Sequence, residues 1–547
     1  MSKNIILCSD GTGNKGGHGA DTNFFRLFNA VDIHDTDANA IDINDTNKQI
    51  TFYDDGVGTS KNKYLRAIQG AFGFGFETNV VDLYEFLARN YDTGDQIFLF
   101  GFSRGAATVR GFAGLIEACG LLDRGKCTDD NNVVQEHIFQ ERIDEARNAY
   151  RKHKGEKDGK TANTAADQFK GNMAVVDAEH APHGNLKIRF IGVWDTVSAL
   201  GFPQDWSWAF QWISTALDKF IDSLFPHNFY NYQLNDNVEY VYHALAIDDE
   251  RTTFHPKVWN EKDDNGPKEI EQVWFAGVHS NVGGGYPRAG MSMVALDWMM
   301  ERATDRGVRL NKDVHDEVRA SANVDGRLYD SRSGAAIYYR YGPRDIEDLC
   351  KDSEGNKKIK DPVKIHDSVI DRITRGTSRY APRSIPYEIK IVHTKTDGAS
   401  RTVETAETCE EYTSNRQEIK KWIARRKRLY RVFIESTLLL LVGVAYFWIY
   451  SPLPECVSDR TCVRNWVTGH VADIMYYVLP KFLDGFTTYF AIMHPYYLLA
   501  IVAYFVMLRF LRNLWRHETH VACERARQSL LKEIPRDDAR ASDGSAS

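Results

Sequence analysis

The stretch that decides the fold is QIFLFGFSRGAATVRGF, residues 96–112, where an apolar run gives way to a helical pattern. Gln96 to Phe100 is short and apolar, which is typical of a buried strand. From Ala106 to Ala118 the alanine-rich spacing predicts a helix. A Gly-x-Ser-x-Gly pattern is centred on Ser103 between them. It predicts either the strained strand-to-helix turn that presents a nucleophilic serine or an ordinary helix N-cap.

Strand-like and helix-like segments alternate through residues 1–395. This alternation predicts a mainly parallel sheet with helices on both faces. Together with the Gly-x-Ser-x-Gly turn it favours an α/β-hydrolase-like catalytic domain with helical insertions. A polar stretch at 151–184 suggests a surface insertion, and the aromatic stretch 206–232 is either core or a cap over an apolar pocket. The predicted strands are Asn4–Ser9, Gln49–Tyr53, Gln96–Phe100, Lys187–Trp194 and Glu271–Val278, and the predicted helices are Thr78–Arg89 and Ala106–Gly120.

Length and composition bound the class of protein. A chain of 547 residues is too long for one core and suggests two or three domains. The net charge is −7 and no basic face dominates the first 400 residues, so we expect no nucleic-acid partner. The eight cysteines are scattered, as in a reduced compartment. The N-terminus, MSKNIILCSDGTGN, lacks the apolar run of a signal peptide.

Two uncharged runs lie near the C-terminus, at Ser436–Pro454 and Ala491–Leu508. Each is close to the ~20 residues that cross a bilayer. Eight Lys/Arg lie within 416–431, and three arginines follow the second run. These flanks favour a membrane hairpin with both termini cytoplasmic over two buried core helices. The expected layout is a linker and basic helix at 396–431, the hairpin at 432–515 and a charged tail at 516–547.

The loop between the two runs holds Cys456 and Cys462. A disulfide can close this small loop if it faces an oxidising compartment, and the sequence does not decide the question.

A serine nucleophile needs a base and an acid, which in this fold follow in the order Ser, acid, His. The strand in IRFIGVWDTVSALG ends at Asp195, and the later strand in QVWFAGVHSNVGGGY ends at His279. Three such residues at strand ends, in this order, predict a triad of Ser103, Asp195 and His279. The segment HALAIDDER offers Asp248 or Asp249 as another acid, or a structural Asp–Arg pair.

An oxyanion hole needs two N–H donors. One is expected from Arg104, directly after the serine, and the other from Gly11 or Thr12 in CSDGTGN. The same glycine-rich turn also resembles a phosphate loop of sugar kinases and actin-like ATPases, a reading that leaves the three triad residues unexplained. No Cys/His spacing suggests zinc and no carboxylate loop suggests calcium, so we expect neither metal nor cofactor.

The stretches SDGTGN, YDDGVGT, GDQIFLFGFSRGA, GVWDTV, HALAIDDER, VWFAGVHSNVGGGY, YYRYGPRDIE, IHDSVIDRI and RYAPRSIP occur in order. Together they resemble the uncharacterised-domain α/β hydrolases that include type VI secretion phospholipase effectors, over roughly residues 3–393. The resemblance implies a lipid esterase with Ser103 as nucleophile and with Asp195 and His279 at the matching motif positions. Asn281 stands where the family usually has aspartate, and Ser9 where it usually has an aromatic residue.

The leading hypothesis is a membrane-associated serine lipid esterase of the phospholipase type, acting through an acyl-enzyme. It would be an antibacterial effector with secretion-machinery or immunity-protein partners, or an enzyme of the cell's own membrane. Its catalytic domain would lie on the cytoplasmic side or be secreted into a target cell. The alternatives are an inactive, membrane-anchored binding module with a hydrolase fold, and an esterase or thioesterase on soluble substrates.

Overall fold

The computed structural model describes most residues of the chain. They are residues 2–11, 20–32, 48–54, 76–155, 164–197, 234, 236–262, 266–386, 388–394, 401–404, 410–450, 466–478, 487, 491 and 495–533. The chain divides into two units. The first comprises Met1–Tyr339, Pro343–Tyr412 and Arg527–Ser547, and the second comprises Arg340–Gly342 and Thr413–Ala526.

The first unit is built on a nine-stranded sheet with the order β2-β1-β3-β4-β5-β6-β7-β8-β9. The first eight strands pair in parallel, and β9 is antiparallel to β8. The prediction of a mainly parallel α/β sheet is therefore confirmed. The strands are β1 Asn4–Ser9, β2 Gln49–Asp54, β3 Gln96–Phe102, β4 Ile188–Trp194, β5 Val238–Ala246, β6 Glu269–Phe275, β7 Val363–His366, β8 Glu388–Val392 and β9 Arg401–Glu404.

Helices cover both faces of the sheet. The helices of the first unit are α1 Asn23–Ala30, α2 Phe76–Asn90, α3 Arg104–Cys119, α4 Glu136–Gly155, α5 Ala165–Met173, α6 His279–Gly283, α7 Gly290–Asp305, α8 Lys312–Ser321, α9 Ile346–Leu349 and α10 Asp367–Arg375.

Alternation along β3 shows how the two faces are filled. Ile97 and Leu99 join a core cluster that includes Phe112 of α3. Phe98 and Phe100 point the other way, into a cluster that includes Trp298 of α7. Because successive side chains of a strand point to opposite faces, a strand covered on both faces reads as one continuous apolar run. The serine that follows β3 is thus carried on a strand that is packed on both faces.

Some elements differ from their expected positions. The helix after the serine begins at Arg104, two residues earlier than expected, so that Ser103 precedes it directly. The stretch expected as a surface insertion contains α5, whose Phe169 is buried in the core. Strand β9 lies within the polar stretch expected as a linker. The aromatic stretch 206–232 lies outside the described residues.

The second unit is helical. Its elements are α11 Glu410–Tyr450, α12 Trp466–Val478 and α13 Pro495–Glu533. The residues of α11 up to Tyr412 and those of α13 from Arg527 onward belong to the first unit. Among the described residues, one helix, Pro495–Ser529, is long and apolar enough to cross a membrane, with a mean hydropathy of 1.6 over an 18-residue window. It contains most of the second predicted run. The first run ends beyond α11, and its last residues, with Cys456 and Cys462, lie outside the described residues.

Candidate active site

Ser103 sits on a sharp turn between β3 and α3. Its backbone has φ 58° and ψ −117°, in a region that residues other than glycine rarely adopt. Although it occupies the N-cap position of α3, its side chain makes no capping hydrogen bond in the described structure. A strained backbone that turns a side chain away from its cap is a feature of functional turns rather than of ordinary helix starts.

Small residues beside the serine allow this turn to form. A Cβ atom on Gly101 would lie 2.7 Å from the Cα of Ala106 in the first turn of α3. A residue with a side chain would therefore separate the end of β3 from the start of α3. The glycine spacing in the sequence thus reflects a close strand-to-helix approach.

The structure brings together the three residues predicted as a triad. His279 Nε2 lies 2.8 Å from Ser103 Oγ, and His279 Nδ1 lies 2.5 Å from Asp195 Oδ2. Asp195 directly follows β4, and His279 begins α6 after β6. All three are buried, with Ser103 exposing 6% of its surface.

The hydrogen bonds fix the form of the imidazole. Asp195 is ionised and accepts from Nδ1–H, which leaves the Nε2 lone pair to accept from the Ser103 hydroxyl. Burial lowers the pKa of His279, against the opposing effect of Asp195. A neutral imidazole aimed at a serine hydroxyl can take its proton.

Asp195 has a second partner that the sequence analysis missed. Both of its oxygens accept from Arg344, Oδ1 from Nη1 and Oδ2 from Nη2, each at 2.7 Å. Burial would raise the pKa of Asp195, but the charge of Arg344 and the hydrogen bond from His279 hold it well below its usual range. The signal was present, since Arg344 lies in the family-like stretch YYRYGPRDIE, but nothing local to it indicates its partner.

The two other candidate acids have different contacts. Asp249 forms hydrogen bonds with Nε and Nη2 of Arg251 at 3.0 and 2.8 Å, and accepts from the backbone N–H of His279. Asp248 accepts from Gly277 N–H and from the Tyr380 hydroxyl. Both carboxylates therefore anchor the segment that leads into His279, which fits the structural interpretation of this acidic pair.

Aromatic rings hold the imidazole from two sides. Phe102 stacks on His279 with ring centroids 4.7 Å apart, and Phe254 meets it edge-on at 5.0 Å. Gly283, the first glycine after His279, leaves room for this packing, because a Cβ atom there would lie 1.9 Å from the Phe102 ring. The imidazole is thus fixed by packing as well as by hydrogen bonds.

Part of the chain matches the model of a known protein family. Residues 3–302 match the family model described as "T6SS, Phospholipase effector Tle1-like, catalytic domain", where T6SS is the type VI secretion system. The chain belongs to this Tle1-like family.

Individual relatives of this Tle1-like chain are distant. Uncharacterized protein YEL023C of Saccharomyces cerevisiae is 27% identical over 268 residues, which cover 46% of this chain and 32% of the yeast protein. The chain thus spans about a third of the length of that curated relative. An uncharacterized protein from Pseudomonas aeruginosa aligns at 18% identity and a TM-score of 0.29, covering 62% of this chain and 50% of the other. A Tle1 effector bound to the VgrG spike aligns at 14% identity and a TM-score of 0.33, covering 62% and 78%.

The N–H groups expected to form an oxyanion hole in this Tle1-like domain lie at two places. Arg104 is the first residue of α3, and first-turn N–H groups have no partner within their own helix. The Gly11 N–H donates to Asp10 Oδ1 at 2.5 Å, while Thr22 and Tyr53 hydroxyls donate to Oδ2. Thr12 lies outside the described residues.

The two positions that depart from the family pattern have defined contacts. The Ser9 hydroxyl donates to Asp54 at 2.8 Å, which ties the ends of β1 and β2 together. Asn281 donates to the Arg327 carbonyl and accepts from the Tyr329 N–H, so it anchors the segment opposite α6. Neither departure touches the three predicted triad side chains through these bonds.

One group of potential metal ligands occurs among the described residues. Donor atoms of Asp297, Glu301 and His315 lie within 4.8 Å of one another on α7 and α8. Arg319 lies in the same group and pairs with Asp297 and Glu301. Because Arg319 and His315 already bond to these carboxylates, the cluster does not point to a metal.

Proposed function

We propose that the chain is a serine lipid esterase of the phospholipase type. Ser103 Oγ attacks the ester carbonyl carbon as His279 Nε2 takes its proton, and Asp195 holds the imidazole and stabilises its charged form. The observation that carries this proposal is the continuous hydrogen-bonded line Ser103–His279–Asp195 at a strained strand-to-helix turn.

The reaction then proceeds in two steps. Collapse of the first tetrahedral intermediate breaks the ester bond, and His279 returns the proton to the leaving alcohol oxygen. Water next attacks the Ser103 acyl ester with His279 again as base. The bond between the acyl carbon and Ser103 Oγ then breaks, His279 returns the proton to Oγ, and the fatty acid is released. Because the chain belongs to the Tle1-like family, we expect the ester to be that of a phospholipid.

The oxyanion hole would be formed by two backbone N–H groups near Ser103. The Arg104 N–H would supply one donor, as expected for the residue after the nucleophile. The loop after β1 would supply the other from Gly11 or Thr12. The Gly11 N–H can donate to the substrate oxygen only after its hydrogen bond to Asp10 Oδ1 breaks.

The C-terminal region would place the enzyme on its substrate. We propose that α13 and the apolar part of α11 form the membrane hairpin, because α13 carries large exposed apolar side chains such as Leu499 and Phe510. An enzyme whose substrate resides in a bilayer gains effective concentration from such an anchor. Delivery into a target cell by secretion machinery, with an immunity protein in the producer, is the setting that the family suggests.

The test uses the full-length chain with a fluorophosphonate probe and a panel of purified phospholipids. We expect labelling and lipid hydrolysis by the wild type, and loss of both in Ser103→Ala, by a factor of about 10⁴ to 10⁶ in rate. Ser292→Ala removes another buried serine hydroxyl, one that donates to the Ala289 carbonyl, and serves as the matched control. Labelling without phospholipid hydrolysis would favour soluble esters, and absence of both in the wild type would favour an inactive binding module.

A further inference from the structure

The pair Arg344–Asp195 is the most deeply buried ion pair at the site, since both side chains are fully buried. Asp195 Oδ1 accepts from Arg344 Nη1 and, at 3.0 Å, from the Ala246 N–H. Asp195 Oδ2 accepts from Arg344 Nη2 and from His279 Nδ1. A carboxylate offers about four acceptor sites, and all four are occupied here. None is left for a proton on the carboxylate.

The guanidinium is itself anchored to the sheet. Besides Asp195, its Nη1 donates to the carbonyl of Ala246 and its Nη2 to that of Phe254. Ala246 ends β5, and Phe254 is the ring that meets His279 edge-on. Arg344 thus connects the proposed acid, the end of a central strand and an aromatic neighbour of the proposed base.

We propose that Arg344 is a positioning residue that keeps Asp195 ionised, with Oδ2 aimed at His279. Arg344 also shares the charge of that carboxylate, so that the imidazole is a weaker base than it would be beside Asp195 alone. The inference rests on the proposed function, because it assigns His279 as the base. It adds a residue outside the matched residues 3–302 to the site.

The charges around the imidazole support this division. The charged and titratable side chains near the Ser103–His279–Asp195 line are Arg104, His243, Asp249, Arg251 and Arg344. Asp249 is matched by Arg251. Burial lowers the pKa of His243 to about 3, and its Nε2 accepts from the Thr196 N–H, so it is neutral. The carboxylate hydrogen-bonded to the imidazole is that of Asp195, and Arg344 is the cation paired with that carboxylate. Arg251 and Asp249 act on His279 with opposite signs.

The sign of the effect follows from electrostatics. Removing Arg344 leaves the whole charge of Asp195 to His279, which stabilises the imidazolium and raises the pKa of His279. A base must be neutral to accept a proton. As the pH is lowered, the variant would therefore lose activity at a higher pH than the wild type does. A purely structural role for Arg344 would lower the amount of folded enzyme without moving this pH limb.

The experiment compares kcat and KM against pH for the full-length wild type, Arg344→Gln and Arg344→Lys, with a short-chain soluble ester. We expect Arg344→Gln to lower kcat roughly 10- to 100-fold with little change in KM, because Arg344 touches no substrate. Its acid limb should move up by about one pH unit. Arg344→Lys keeps the positive charge, so its kcat and its acid limb should lie between those of Arg344→Gln and the wild type. It takes the place of Arg344→Gln in the comparison if that variant does not fold.

The matched control is Arg372→Lys. Arg372 is equally buried and donates to the carbonyls of Val324 and Gly326, and in the described structure it makes no hydrogen bond to the triad. Its acid limb should coincide with that of the wild type. If the Arg344→Gln limb also coincides with the wild type, or if lysine restores nothing, the inference is overturned.

A second readout separates this inference from the proposed function. The low-field proton resonance of His279 Nδ1–H, identified by its loss in His279→Gln, reports the imidazole titration without any turnover. If the wild type neither hydrolyses esters nor reacts with fluorophosphonate, the proposed function fails. The inference still stands if the titration midpoint is higher in Arg344→Gln or Arg344→Lys than in the wild type, and falls if it is unchanged.

Discussion

The carbonyl oxygen of Ser9 occupies the space where a side chain on Gly105 would begin. A Cβ atom built on Gly105 would lie 2.0 Å from that oxygen and 2.5 Å from the carbonyl oxygen of Asp10. The first turn of α3 therefore touches the end of β1. This contact brings the turn that carries Ser103 next to the loop proposed to supply the second oxyanion donor.

Gly105→Ala tests this contact. Because the clashing atoms are backbone atoms, the end of β1 or the start of α3 must move, and we expect a loss of about 2 kcal/mol or more in the free energy of unfolding. Gly171→Ala is the matched control, since no atom lies within 4 Å of its Cβ position in α5 and the change favours a helix. Urea unfolding of both variants measures the difference, and equal stabilities would contradict the close approach.

The choice of acid is tested by three asparagine variants. Asp195→Asn removes the negative charge and one of the two acceptor oxygens, so that the amide can hold His279 in the wrong tautomer. We expect a loss of about 10⁴ in kcat, together with lower stability because Arg344 is left buried without its counter-charge. Asp248→Asn and Asp249→Asn should retain more activity, since their hydrogen bonds go to the segment before His279. Full activity in Asp195→Asn with none in Asp249→Asn would assign the role to the other acid.

The acid stability of the first unit should depend on His366. Burial lowers the pKa of His366 to about 4, and its ring lies between the hydroxyls of Ser368 and Thr394. Between the unfolded pKa of about 6.5 and the folded value, the unfolded chain binds one more proton. This group's contribution is therefore complete above pH 6.5 and is lost as the pH falls toward 4, by up to about 1.4 kcal/mol per pH unit.

The measurement is the unfolding free energy at several pH values from 7 to 4.5. His366→Gln should be less stable at pH 7 but lose stability less steeply below pH 6.5. The exposed His137 supplies the control variant His137→Gln, which should follow the wild-type curve. Parallel curves for His366→Gln and the wild type would show that His366 does not contribute to the slope.

Local patterns predicted the parts of the fold whose signals are local. Ser103 and Asp195 directly follow apolar strands, and His279 begins α6 shortly after β6, so periodicity alone indicated that all three lie at or near strand ends. Strand β5 was missed because polar and titratable residues such as Glu239 and His243 interrupt its apolar run. Strand β7 has four residues, which is too short for a period to show.

Arg344 illustrates a limit of a different kind. Its partner Asp195 is 149 residues away in the chain, and the two meet only because the sheet places the ends of β4 and β5 side by side. An arginine after Gly-Pro has no pattern that predicts burial, and arginines are rarely buried without a partner. Contacts that depend on the tertiary fold are therefore not visible in spacing.

The last prediction concerns the membrane. Full-length protein expressed in bacteria should remain in the membrane pellet after alkaline carbonate extraction, because a spanning helix is not released by loss of electrostatic contacts. Leu499 and Val506 are seven residues apart on one face of α13 and are 63% and 59% exposed. Replacing both with arginine costs about 2.5–3.5 kcal/mol for each charge placed near the bilayer centre, so the double variant should shift toward the soluble fraction.

The matched control places the same two charges on exposed apolar residues of the first unit, as Val133→Arg with Val176→Arg, and should stay in the pellet. Extraction of the wild type would contradict the anchor, and equal retention of both double variants would show that α13 is not the segment that holds the chain in the membrane.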